Sequence, residues 1–123
     1  MAQILIVEDD DADRLLLGAA LEEAGHDLHF AEDGEEALTI YAKNPVDVVV
    51  TDIMMARKDG VELIMALRKL NPDLAIIAVS GKGPTGLGFA ELAGAQKIMA
   101  KPVDHDELIR AIRDMTRENH DGA

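Results

Sequence analysis

Five short apolar runs, separated by stretches with helical spacing, constrain this chain more than any other feature. The first is Ile4-Leu5-Ile6-Val7. Residues 11–24 follow, with Leu17, Ala20, Leu21 and Ala24 on one helical face and Gly25 as a stop. Residues 28–31 form a weaker strand pattern. Asp33-Gly34 then turns into a helix over 35–43, closed by Asn44-Pro45. Residues 46–51 are the most strand-like, being rich in β-branched side chains. A loop at 54–59 leads to a helix over 60–70, striped by Leu63, Ile64, Leu67 and Leu70 and ended by Asn71-Pro72. Strands at 75–79 and 97–100 complete the set. The last helix starts at Asp104, which with Glu107 forms a capping-box pattern, and it turns Leu108, Ile112 and Met115 inward. Met65 also reads as a packing residue, the four histidines (His26, His29, His105 and His120) as solvent-facing, and residues 119–123 as a frayed tail.

Strands that are apolar along their whole length and alternate with helices imply a parallel sheet covered on both faces, which is the α/β class. At 123 residues and 48% hydrophobic composition the chain suits one domain with a substantial core, and residues 1–123 are expected to form a single unit with no output domain.

The charge balance removes several functions. With 24 acidic against 12 basic residues the net charge is −12, which repels nucleic acid and anionic lipid. No cysteine is present, so there is no disulfide, thiolate metal site or cysteine nucleophile. No segment approaches the roughly 20 apolar residues of a membrane-spanning helix, and the first residues carry no secretory pattern. A cytoplasmic setting is the expectation.

In an open parallel sheet, ligands bind beyond the carboxyl ends of the strands. Glu8, Asp9 and Asp10 follow the first strand, Asp52 the third, Ser80 the fourth, and Lys101-Pro102 the fifth. Clustered carboxylates repel, so either one takes up a proton or a cation sits among them. Oxygen ligands alone suit Mg²⁺. A carboxylate can attack phosphorus to give an acyl phosphate, with Ser80 and Lys101 holding the remaining oxygens. The residues by themselves describe a Mg²⁺-assisted, phosphoryl-accepting aspartate.

The ordered set Ile4-Leu5-Ile6-Val7-Glu8-Asp9-Asp10, Val50-Thr51-Asp52-Ile53-Met54, Asp59-Gly60, Val79-Ser80-Gly81, Gly94-Ala95 and Lys101-Pro102 resembles the receiver domain of bacterial two-component response regulators over nearly the whole chain. The resemblance implies a doubly wound (βα)5 flavodoxin-like fold, with the five-stranded parallel sheet in the order 2-1-3-4-5 and helices on both faces. It implies that Asp52 is the phospho-acceptor, served by a phosphohistidine on a sensor kinase or phosphotransfer protein. Asp9, Asp52 and the backbone carbonyl of Met54 would ligate Mg²⁺, with Glu8 acting through water. Ser80 would be the switch hydroxyl and Lys101 the phosphate-binding lysine, with a cis bond to Pro102.

Two departures from the family pattern stand out. Ile98 occupies the position of the usual aromatic rotor, and the segment from Ser80 to Gly88 holds four glycines and Pro84. That density predicts a short or displaced helix beginning near Leu87, ordered on phosphorylation in place of ring rotation. Met54 and Lys82, each two residues past Asp52 and Ser80, are expected to tune phosphate lifetime. Arg57 and Lys58 add two cations near the site.

The expected role is a switch that presents a changed surface to an unidentified downstream protein, as a monomer or weak dimer, rather than a turnover enzyme. One rival is an interaction module whose switch has decayed, which Ile98 favours and the complete acid, hydroxyl and lysine set opposes. Another is an aspartate-nucleophile phosphatase, whose Asp-x-Asp is replaced here by Asp52-Ile53-Met54. Gly81-x-Gly83-x-x-Gly86 matches a dinucleotide fingerprint, but it follows the fourth strand and Pro84 interrupts it.

Overall fold

Alternation along the strands decides which helix covers which face. On β1 (Gln3–Val7), Ile4 and Ile6 join one core cluster while Leu5 and Val7 join the other. On β3 (Val48–Asp52), Val48 and Val50 go with the first cluster and Val49 with the second. Both faces are therefore apolar, and both are buried.

The first cluster is closed by Leu17 and Leu21 of α1 (Asp11–Glu23) and by Leu108 and Ile112 of the helix His105–Asp121, here α4. The second is closed by Ala37 and Tyr41 of α2 (Gly34–Lys43) and by Leu63, Ile64 and Leu67 of α3 (Gly60–Leu70). With β2 (Asp27–Ala31), β4 (Ala75–Ser80) and β5 (Lys97–Ala100), the strands run in the order β2-β1-β3-β4-β5, and every pairing is parallel. The computed structural model describes residues 2–53, 60–81 and 93–121, with side chains through Thr116.

Register brings the strand ends level. Val7 pairs with Thr51, Asp52 with Val79, and Ser80 with Ala100, so the next residues along β1 and β5, Glu8 and Lys101, emerge at the same edge as Asp52 and Ser80. Helix caps fix the entry of the connecting segments. Asp10 accepts the Asp13 amide at 2.9 Å, Asp33 accepts the Glu36 amide at 2.8 Å, and Asp104 accepts the Glu107 amide at 3.1 Å. Gly25, just past α1, has φ of 95°, a left-handed conformation that only glycine adopts cheaply.

Several expectations are corrected. Leu70 is 62% exposed and Met65 is 51% exposed. Met65 sits about a 100° rotation away from the buried Ile64, and Leu70 is the last residue of its helix. Ala24 is exposed at the cap of α1, while Gly18, in the middle of that helix, is buried beside Leu17 and Leu21. A Cβ on Gly18 would stand 2.8 Å from Cε1 of Phe30, whose ring lies over that part of the helix. His26, His29 and His105 are half-buried rather than solvent-facing, and the Nδ1 of His26 accepts the Ala2 amide at 3.0 Å. Backbone helix continues through Asp121. The helix expected near Leu87, and Arg57 and Lys58, lie outside the described residues, as does the side chain of His120.

Gly60 sets how closely α3 approaches the end of β3. Its amide donates to the Ile53 carbonyl at 2.8 Å, and a Cβ there would overlap the Asp52 carbonyl oxygen and come 2.6 Å from the Ile53 Cα. These neighbours are backbone and do not yield cheaply. Gly60→Ala is expected to cost about 1–3 kcal/mol in urea unfolding; a variant as stable as the parent would show that α3 is free to retreat.

Candidate functional site

Glu8 leaves β1 with its amide bound to the Ala31 carbonyl at 3.0 Å and its carbonyl held by Nη1 of Arg14 at 2.8 Å. Its backbone is thus pinned from β2 and from α1, and its carboxylate turns inward, only 2% exposed. Asp52 is 7% exposed and Ser80 is 1% exposed, while Asp9 is open to water. Glu8, Asp9 and Asp52 each offer one carboxylate oxygen, and these lie within 4.8 Å of one another.

Lys101 enters this group from the fifth strand. Its amide donates to the Ser80 carbonyl at 2.9 Å, and its bond to Pro102 is cis, as the resemblance implied. The ammonium lies 2.8 Å from Asp52 Oδ2, 3.1 Å from Glu8 Oε1 and 3.1 Å from Asp13 Oδ2. The sheet therefore assembles on one rim the acids, the hydroxyl-bearing strand end and the lysine that the residue pattern predicts there.

Burial without full compensation has a cost, and Glu8 carries it. Its carboxyl is pushed from 4.5 up to about 7, first by burial and then by its hydrogen bond to Asp52 and the charge there, against the opposing pull of Lys101. Burial alone would lower the Lys101 ammonium. Its hydrogen bonds to Asp52, Glu8 and Asp13 outweigh that and hold it above its usual range.

The donor set fits Mg²⁺ on its own chemistry. All three candidate ligands are hard carboxylate oxygens, gathered closely, and exposed Asp9 leaves one side open to water. Lysine already offsets part of the negative charge, so the cluster can exist before any ion arrives. Met54 and Lys82 lie outside the described residues. Ile98 is half-buried and packs against the cluster on the α2/α3 face.

Two residues were missed in the sequence. Asp13 binds Lys101, yet it sits on a helix and not at a strand end; its i, i+4 spacing from the buried Leu17 was the available signal. Arg14, which fixes the Glu8 carbonyl and pairs with Asp11, left no comparable pattern.

Fold and rim together define an α/β module with a carboxylate and lysine cluster at one sheet edge, and sequence comparison assigns its family. Residues 4–113 match the family described as the response regulator receiver domain, and the chain belongs to that family. Response regulator MprA of Mycobacterium sp. (strain KMS) is 38% identical over 116 residues, covering 94% of this chain and 50% of that protein. MprA of Mycobacterium leprae is 37% identical with similar coverage. The chain thus spans about half the length of these curated relatives. A CheY-like receiver domain protein from Methanospirillum hungatei JF-1 superposes with a TM-score of 0.93 at 27% identity, covering 100% of this chain and 99% of that one. The Francisella response regulator 1452 receiver domain superposes at 0.89 with 31% identity, over 97% and 99% of the two chains. The flavodoxin-like order 2-1-3-4-5 is thereby confirmed. Among the described residues no helix is long and apolar enough to cross a membrane.

A carboxyl that holds its proton more tightly when folded stabilises the fold most at low pH. Stability from Glu8 is full below 4.5 and is lost as pH rises toward about 7. In chelator, urea midpoints should fall across this window, and Glu8→Gln should flatten that slope. An unchanged slope in the variant would show that Glu8 ionises normally.

Proposed function

We propose that this receiver takes a phosphoryl group onto Asp52 from a phosphohistidine of a sensor kinase or phosphotransfer protein. The single observation that carries the reading is the Lys101 ammonium 2.8 Å from Asp52 Oδ2, inside a carboxylate cluster built from separate strand ends. An aspartate so placed is fixed, nearly desolvated and already beside the cation that a transferred phosphoryl group requires.

Asp52 attacks phosphorus as its O–P bond forms and the P–N bond of the donor breaks, with the electron pair returning to the ring nitrogen. A donor imidazole protonated at its other nitrogen then leaves as the neutral ring. Asp9 and Asp52, with the Met54 carbonyl that the family resemblance implies and Glu8 acting through water, would hold Mg²⁺, which would supply charge neutralisation for the transferring group. Lys101 swings its N–H donors from carboxylate to phosphoryl oxygens. The Ser80 hydroxyl, at the end of the neighbouring strand, donates to another of them. Lys101 and Ser80 thereby report the state of Asp52 to β5 and β4, which is the route to a changed protein-binding surface. Ile98 gives this surface an aliphatic core contact in place of a swinging ring.

The role is a switch with self-catalysed gain and loss of phosphate, and not a turnover enzyme. It acts in the cytoplasm on a downstream protein, as a monomer or weak dimer; the charge of −12 argues against direct contact with nucleic acid. Met54 and Lys82 set the lifetime of the phosphorylated form.

Incubation with acetyl phosphate and Mg²⁺ should add one acid-labile phosphate, located at Asp52 by mass spectrometry. Asp52→Asn should take up none, and Lys101→Met should slow uptake at least about tenfold while keeping the fold. Absence of label in the parent, or label at another residue, would contradict the reading.

A further inference from the structure

Lys101 has three N–H donors, and the resting structure spends them on Asp52, Glu8 and Asp13. Any phosphoryl oxygen on Asp52 that gains the ammonium must take it from one of these carboxylates. They are not equally easy to leave. Glu8 and Asp52 are 2% and 7% exposed, so withdrawing from either strands a buried charge. The Asp13 side chain is 44% exposed, on the wall of a cleft shared with Leu16, Lys101, Pro102 and His105. Water reaches it at once, so its release is the least costly of the three.

We infer that Asp13 is a positioning residue for phosphoryl binding: its carboxylate holds the Lys101 ammonium in the resting position, and this contact is the one given up when the lysine turns to the phosphoryl group. The inference rests on the function proposed above and adds to it. Asp13 stands outside the cluster of Glu8, Asp9 and Asp52. It is anchored independently of the site, since its amide is bound by the Asp10 cap at 2.9 Å and its helix is held by Leu17 and Leu21. The acid therefore keeps its place when the lysine leaves. Its effect is to weaken phosphoryl binding, the opposite of what a supporting contact would do.

The test is titration of the full chain with beryllofluoride, a phosphoryl mimic, at saturating Mg²⁺, read by fluorine NMR. Asp13→Asn removes the competing charge and should tighten binding about two- to fivefold, the range of a partly exposed ion pair. Asp13→Glu restores the charge and should return to the parent value. Glu23→Gln, which removes an exposed acid from the far end of the same helix, should also match the parent. Unchanged or weakened binding in Asp13→Asn would overturn the inference, as would equal tightening in Glu23→Gln, which would reduce the effect to net charge. A parent chain that binds no beryllofluoride would instead sink the phosphoryl-accepting reading itself.

Discussion

One ammonium group makes the rim of this sheet possible. Glu8 and Asp52 are almost wholly removed from water, and two carboxylates in such a place repel one another and lose their hydration. Lys101 reaches both from a strand that is neighbour to neither β1 nor β3, and offers each a hydrogen bond of about 3 Å. The compensation is incomplete, as the high proton affinity of Glu8 shows. The site is consequently poised: stable enough to fold, and still short of positive charge.

Everything below the rim serves to bring these groups level. Parallel pairing fixes the strands in register, two apolar faces lock the sheet between helix layers, and Gly60 lets α3 start against the Asp52 carbonyl. At the opposite edge, the Arg68 guanidinium joins the carbonyls of Pro72, Leu74 and Gly94 at 2.7–2.8 Å. It thereby ties the end of α3 to the starts of β4 and β5. The edge that carries the chemistry is thus free of this structural duty.

Much of this was legible in the residues. Strand cores such as Val48-Val49-Val50 are apolar because both faces are buried, so the runs announced themselves, and the acids and lysine stand directly at the carboxyl ends of those runs. A search confined to strand ends also has a blind spot. Asp13 acts from the first turn of a helix, where an acid usually serves the helix dipole, and its spacing from Leu17 gives the direction it faces but not the lysine it meets. Leu70, Met65 and the half-buried histidines were misread for a related reason: spacing gives a direction around a helix, whereas burial depends on what the fold sets opposite it. Arg68 is legible only once the fold brings the Gly94 carbonyl beside the nearby carbonyls of Pro72 and Leu74.

The central claim is that oxygens of Glu8, Asp9 and Asp52 form one cation site beside Lys101. Paramagnetic broadening of amide signals by Mn²⁺ at low occupancy tests it residue by residue. Broadening should be strongest at residues 8, 9 and 52 and fall away toward β2 and α2, where acids such as Asp33, Glu35 and Glu36 are also near the surface. Broadening spread evenly over those acids, with no maximum at the three strand-end residues, would contradict the account.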